Sequence, residues 1–146
     1  MKRLHVRLLS ILLIFCFSET SHAETQHLVL VTGTQQLGHA ILSQREVRKI
    51  FLGQGLHKFD YTITALINNT DALLYQVFLQ KVVYMSENAY EQHLLGRVFR
   101  MGGTRPPTYM NISSLVTALR EKPGTITYMW EKTAQETPGI IIIGKL

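Results

Sequence analysis

The chain has 146 residues, of which 46% are hydrophobic and 17% are charged, and its formal net charge is +5. This length suits one domain with a hydrophobic core of its own. A modest positive charge without a strongly basic cluster argues against a nucleic-acid-binding domain, and a single cysteine, Cys16, excludes an intrachain disulfide.

The N-terminal segment has the three regions of a secretory signal peptide. Three basic residues precede an apolar run over residues 8–17, and the segment ends in Ser21-His22-Ala23, whose small residues suit signal peptidase. As a helix the apolar run would be only ~15 Å long, against a hydrocarbon core of about 30 Å. We therefore predict a signal peptide over residues 1–23 and one exported domain over residues 24–146, with membrane contact only as the uncleaved precursor.

The first predicted elements of the domain are a strand and a short helix. Residues 28–31 form an apolar, β-branched run that ends at Thr32-Gly33-Thr34, which predicts a strand and a turn. Ser43 and Glu46 have the spacing of a capping box, which predicts a helix that begins there and ends near Gly53.

The middle of the chain predicts a second strand over residues 62–67, followed by two helices. The turn Asn68-Asn69-Thr70-Asp71 offers N-caps for a helix with an apolar face over residues 73–82. Ser86 can cap the next helix. The predicted buried stripe of that helix is Tyr90, Leu94, Leu95 and Val98.

The last third predicts a loop, a helix and two strands. Paired glycines and paired prolines make residues 101–107 irregular, and Asn111 or Ser113 caps a fourth helix. Strands are predicted over residues 125–129 and 140–143, the latter with the continuous apolar run of a central strand. This order of elements predicts an α/β fold with a mixed sheet of about four to five strands, flanked by about four helices.

Two turns that follow predicted strands are the first candidates for ligand binding, since ligands of α/β sheets bind beyond the carboxyl ends of strands. The candidate residues are Thr32 and Gly33 in one turn and Asn69 and Thr70 in the other. Free amides at a helix start attract anions. Asp71 can occupy those amides with its own carboxylate, so ordinary capping is the favoured interpretation of the second turn.

The basic stretch from His93 to Arg105 is the other candidate. Arg100 and Arg105 flank a glycine-rich loop whose amides could surround an oxyanion, and two guanidinium groups suit a phosphate or a carboxylate. The candidate residues here are Arg100, Gly103, Thr104 and Arg105. The alternative is a solvated basic helix end that offsets the helix dipole.

The sequence carries no recognised catalytic signature. Its histidines lack metal-ligand spacing, and it has no motif of a serine hydrolase, a zinc protease or a phosphate-binding loop. We expect no catalytic residues, no metal and no cofactor.

Three segments resemble the phosphate-binding proteins of ABC transporters. Residues 42–53 resemble that family's "leucine-serine … isoleucine-phenylalanine-x-glycine" helix, and residues 123–128 resemble its "proline-glycine-x-isoleucine-glycine-tyrosine" segment, with Thr127 in place of the second glycine. Residues 97–107 resemble the "valine-phenylalanine-x-glycine-x-x-x-proline-proline" region of short, single-lobe exported relatives. The resemblance covers about residues 28 to 128.

This resemblance implies a type 2 periplasmic-binding-protein fold, or one lobe of it, in the periplasm of a Gram-negative bacterium. It implies a solute-binding domain that binds phosphate or another small anion weakly, or that has an accessory or sensory role in anion uptake beside a transporter or receptor. Full-length phosphate binders have an arginine and a glycine-serine-glycine-threonine loop where this chain has Asn68-Asn69-Thr70-Asp71. The alternative is a periplasmic protein-interaction module of the same fold without a small-molecule ligand.

Overall fold

The computed structural model describes residues 26–58 and 60–146. The predicted signal peptide, residues 1–23, lies outside the described residues, so it stays a prediction. Within the described ranges, no helix combines the length and the apolar character that crossing a membrane requires.

The described residues form seven strands and five α-helices. The strands are β1 (Leu28–Thr32), β2 (Leu56–Lys58), β3 (Tyr61–Ala65), β4 (Ile67–Asn68), β5 (Thr108–Tyr109), β6 (Thr125–Trp130) and β7 (Ile141–Lys145). The helices are α1 (Gln44–Lys49), α2 (Ala72–Phe78), α3 (Glu87–Met101), α4 (Ile112–Glu121) and α5 (Glu131–Glu136). A 3-10 turn precedes α1, and the π-helical turns Ile50–Gln54 and Leu79–Val83 extend α1 and α2.

Five of the strands form one mixed sheet in the order β2-β3-β6-β1-β7. β3 runs parallel to β6, and the other neighbouring pairs are antiparallel. β4 and β5 form a separate parallel pair. The mixed α/β architecture predicted from the sequence is therefore confirmed.

The central strands are covered by helices on both faces. Alternate side chains of β1 enter two separate cores because successive residues of a strand point to opposite faces. Leu28 and Leu30 pack among residues of α1, α2 and α3, whereas Val29 and Val31 pack against α4 and α5. The sheet thus lies between two helical layers.

Two sequence predictions about burial were wrong. β7 is an edge strand that pairs with β1 alone among the described strands, although its apolar run predicted a central position. Ile142 and Ile143 contact opposite cores, so an edge strand can be apolar on both faces.

Leu95, predicted to be buried, is 43% exposed, whereas Tyr90 and Leu94 of the same helix are buried.

The capping box that begins α1 is confirmed. The Ser43 amide donates to Glu46 Oε2 at 2.7 Å, and the Glu46 amide donates to Ser43 Oγ at 3.3 Å. Lys58 Nζ lies 3.0 Å from Glu46 Oε1. The Ser43 amide and then Lys58 lower the pKa of Glu46 to about 2, because both favour the ionised carboxylate.

We predict that Glu46→Gln lowers stability at neutral pH and has less effect in acid. A carboxylate with a lowered pKa stabilises the fold at pH values above its ordinary pKa of 4.5. This contribution is lost as the pH falls towards about 2. Urea unfolding at several pH values measures the effect, with Glu136→Gln as an exposed control. A Glu46→Gln deficit that is the same in acid as at neutral pH would contradict this account.

Candidate functional site

The chain from Tyr61 to Asn68 pairs with β6 in its first part and gains β5 as a second neighbour at its end. The Thr64 amide donates to the carbonyl of Gly124, next to β6, at 2.9 Å. Beyond β3, the Ile67 amide donates at 2.9 Å to the carbonyl of Pro107, next to β5. Between these two bonds, the Leu66 amide donates to the carbonyl of Ile126 in β6 at 2.9 Å. Successive amides of an extended chain point to opposite edges, so β6 and β5 lie along opposite edges of this segment. We call the place where the two pairings meet the fork.

A cleft of about 410 Å³ occupies the fork. It is bounded by the end of the first π-helical turn, β3, the loop before β5 and the turn before β6. The polar residues that line it are Thr64, Thr104, Arg105, Lys122 and Thr125, and none of its described lining residues is acidic. Ile50, Leu66 and the two prolines of the loop supply an apolar part of the wall.

The turn between α4 and β6 brings Lys122 and Thr125 to the cleft. Gly124 has a positive φ of 81°, and a Cβ atom there would lie 2.9 Å from the carbonyl oxygen of Thr62. This close approach requires glycine. Thr125 Oγ1 donates to the carbonyl of Lys122 at 2.7 Å, which fixes the turn.

Arg105 is held at the cleft by α3. One guanidinium nitrogen donates to both carboxylate oxygens of Glu91, at 2.8 and 2.6 Å. The two side chains are 42% and 41% exposed, and ion pairs this exposed contribute only about 0–1 kcal/mol. An incoming anion can therefore compete with Glu91 for Arg105.

Arg100 and Arg105, which were predicted to clamp one anion, do not both line the cleft. The Arg100 guanidinium lies over Gly96, where an added Cβ would be 3.1 Å from Nη1. Gly103 has a positive φ of 92°, and no described atom lies within 4 Å of a Cβ added there. Of the four residues predicted here, Thr104 and Arg105 line the cleft, whereas Arg100 and Gly103 are not among its lining residues.

The turn after β1 lies at the cleft end of the sheet, but its residues have structural partners. Thr32 is buried, and its Oγ1 donates to the carbonyl of Thr125 at 3.0 Å. Gly33 lies directly against α4, since a Cβ there would be 2.5 Å from the Leu119 carbonyl. These contacts place Thr32 and Gly33 behind the cleft.

The turn that contains Asn69 and Thr70 lies at the opposite end of the sheet. Thr32 is opposite Ile126 near the start of β6, whereas Trp130 at the end of β6 donates its indole N–H to Asp71 at 2.9 Å. The two predicted turns therefore cannot form one site. The physical reason is that β1 is antiparallel to β6, whereas β3 is parallel to it.

The second turn is filled by its own side chains. The Thr70 amide and hydroxyl both donate to Asn68 Oδ1, at 3.1 and 2.7 Å. Asp71 Oδ1 accepts hydrogen bonds from two backbone amides in the first turn of α2, which confirms its predicted role as a cap. The Trp130 indole and these amides lower the pKa of Asp71. The resulting carboxylate occupies the helix start and repels an anion.

Thr64, Lys122 and Thr125 were missed by the sequence analysis. The sequence analysis placed Thr125 at the start of a predicted strand and assigned no role to Lys122. Their part in a cleft depends on the pairing of Thr64 with Thr125, which is a long-range contact. The Lys-Pro-Gly-Thr run was the available signal, since it places a cation and a hydroxyl on one tight turn.

No group of three or more metal-binding side chains occurs in the described part of the chain. Comparisons of the chain with protein-family models, curated proteins and solved structures gave no match. The geometry of the cleft is therefore the basis for a functional proposal.

We predict that Gly33→Ala destabilises the protein by more than about 1 kcal/mol, since the new methyl group would overlap the α4 backbone. Gly144→Ala is the matched control, because none of the described atoms lies within 4 Å of its added Cβ. Chemical denaturation of both variants measures the difference. Equal stability of the two variants would show that Gly33 is not needed for the contact with α4.

Proposed function

We propose that the protein is a periplasmic domain of the type 2 periplasmic-binding-protein kind that binds phosphate or another small anion in the cleft. The observation that carries this proposal is the composition of the cleft wall. Arg105, Lys122 and three threonines line it, and none of its described lining residues is acidic. Export and the periplasmic location rest on the N-terminal segment of the sequence.

The lining groups suit an oxyanion. Guanidinium and ammonium groups donate charge-assisted hydrogen bonds to phosphate and carboxylate oxygens, and the hydroxyls of Thr64 and Thr104 supply further donors. The cleft volume, about 410 Å³, lies in the range of small-molecule sites. The apolar wall beside Ile50 and Pro106 would also accommodate the carbon skeleton of a small carboxylate.

The expected affinity is weak. Glu91 balances the charge of Arg105, so Lys122 supplies the uncompensated charge of the lining. The cleft is also open to solvent at Thr64, Thr104 and Arg105, which are exposed. Weak binding suits an accessory or sensory role in anion uptake, in which occupancy follows the anion concentration.

Anion binding predicts a rise in melting temperature. A ligand that binds the folded state alone stabilises it by RT ln(1 + [L]/Kd), about 2.7 kcal/mol at a hundredfold excess over Kd. Melts of the purified protein with phosphate, sulfate or acetate should shift upward by some degrees relative to chloride at equal ionic strength. Identical melts in all four salts would contradict the proposal.

Substitutions of the charged groups should change this shift in opposite directions. Glu91→Gln should enlarge it, corresponding to an affinity several-fold higher, because Arg105 becomes available to the anion. Lys122→Gln should reduce it. Glu87→Gln is the control, since Glu87 lies on the same helix in its first turn. An unchanged shift in both Glu91→Gln and Lys122→Gln would place the anion elsewhere.

A specific observation supports the second candidate function, a protein-interaction module. Leu73, Met110 and Ile112 are 60%, 70% and 37% exposed. Leu73 follows β4, whereas Met110 and Ile112 follow β5, the parallel partner of β4. Three exposed apolar side chains therefore lie near the carboxyl ends of one strand pair, which favours a partner protein at this end of the domain.

A photo-crosslinking residue at position 110 tests this alternative in the periplasm. Ile41 is the matched control site, since it is 83% exposed and lies before α1 rather than beside β5. Capture of one protein from position 110 and not from position 41, together with melts that no anion shifts, would favour the interaction module. Equal capture from both positions would reject it.

A further inference from the structure

The backbone of Ala65 directs both of its polar groups away from β6. The amides of Thr64 and Leu66, on either side of it, donate to carbonyls at the β6 edge of the strand. Successive residues of an extended chain direct their N–H and C=O groups to opposite edges, so those of Ala65 point to the other edge. Ala65 lines the cleft and is 3% exposed. Its N–H and C=O therefore belong to the buried part of the cleft wall.

The strands at that edge stop short of Ala65 on both sides. The pairing of β3 with β2 extends only to Ile63, which lies opposite Leu56. The pairing of β4 with β5 begins at Ile67, whose amide donates to the carbonyl of Pro107. In the described part of the chain, neither the N–H nor the C=O of Ala65 has a backbone hydrogen-bond partner.

Pro107 ends the second ladder. The amides of Ile67 and Asn69 donate to the carbonyls at positions 107 and 109. One step further back, the same parallel pattern would require the amide of residue 107 to donate to the Ala65 carbonyl. Proline has no N–H. The acceptor at Ala65 is thus left to a donor from outside the strand pair.

The gap between the two ladders has the size of a short extended chain. Ile63 and Ile67 are four positions apart, which is about 13 Å along a strand. More than about 90% of buried backbone N–H and C=O groups have a partner, so an unpaired donor and acceptor on one buried residue indicate a place for a ligand. One residue of an incoming extended chain can exchange two hydrogen bonds with such a residue.

The charge of the cleft suits a carboxylate. Glu91 balances the charge of Arg105, so Lys122 supplies the uncompensated positive charge of the described lining. A carboxylate carries one negative charge at neutral pH. A bare carboxylate has no hydrogen to donate, however, so it leaves the Ala65 carbonyl unpaired. An amide N–H beside the carboxylate supplies that donor.

We propose that the cleft binds the carboxyl-terminal residue of a short peptide. The amide N–H of that residue donates to the Ala65 carbonyl, and its carboxylate accepts from the Ala65 N–H and from the cationic groups of Arg105 and Lys122. This inference rests on the proposed function, because it names the class of anion that the same cleft takes.

Two small probes test the role of the amide. N-acetylalanine is the smallest mimic of a peptide end, and O-acetyl-lactate has the same charge and nearly the same shape but an ester in place of the N–H. NMR titration of the isotope-labelled protein should give a Kd at least several-fold lower for N-acetylalanine, with a downfield shift of the Ala65 amide proton. Equal affinities of the two probes would overturn the proposal.

Acetate and inorganic phosphate separate this inference from the proposed function. Both should bind in the cleft more weakly than N-acetylalanine. If either binds there as tightly as N-acetylalanine, the cleft is an anion site without peptide recognition, so the inference fails while the proposed function stands. If none of the three binds in the cleft, both fail.

A pair of proline substitutions tests the acceptor at Ala65. Pro107→Ala introduces the N–H that can donate to the Ala65 carbonyl, so it should remove the preference for N-acetylalanine over O-acetyl-lactate. Pro106→Ala is the matched control, because the N–H of the preceding residue in an extended chain points to the opposite edge, and it should preserve that preference. If both variants keep the preference, or both lose it, the assigned role of the Ala65 carbonyl is wrong.

Discussion

Three buried side-chain hydrogen bonds hold the chain after β3 against β6, next to the backbone hydrogen bond from the Leu66 amide to the carbonyl of Ile126. Thr127 Oγ1 donates to the carbonyl of Leu66 at 2.7 Å, Tyr128 Oη donates to the carbonyl of Asn68 at 2.7 Å, and Asn68 Nδ2 donates to the carbonyl of Tyr128 at 2.9 Å. A buried polar group without its partner costs about 1–3 kcal/mol. The chain therefore pairs with β5 while it stays attached to β6.

The cleft depends on both pairings, since its wall includes Thr64 and Leu66 beside β6 and Pro107 beside β5. The rings of Tyr128 in β6 and Phe78 in α2 are stacked, with centroids 3.9 Å apart, and they fix β6 against α2 in the core. The residues that line the cleft come from four separate segments of the chain.

Local signals in the sequence predicted four of the five α-helices of the described residues, and they missed α5, which has no side-chain cap. Ser43, Ser86, Asp71 and Asn111 each cap the helix that follows, because the contacts that define a cap lie within three residues. The mixed α/β class followed from the order of elements. The edge position of β7 was missed, since strand order is set by long-range pairing and a strand packed on both faces can still lie at an edge.

The candidate site was predicted only in part, because it also depends on long-range pairing. Thr104 and Arg105 stand in one glycine-rich and proline-rich loop, so their composition alone indicated a binding loop. Lys122 and Thr64 reach the cleft through the register of β3 and β6, which local patterns do not encode. Thr127 stands where the resembled family has glycine, and its buried hydroxyl bonds Leu66, which gives it a structural role at the fork.

We propose that the cleft at the fork binds a small anion. Mapping backbone amide chemical shifts during a phosphate titration tests this proposal most directly. The account predicts saturable shifts at Gly53, Gly55, Thr104, Arg105 and Thr125, which line the cleft, with little change at the opposite end of the sheet. Saturable shifts centred on Asn69 and Thr70, or no saturable shifts at any amide, would contradict it.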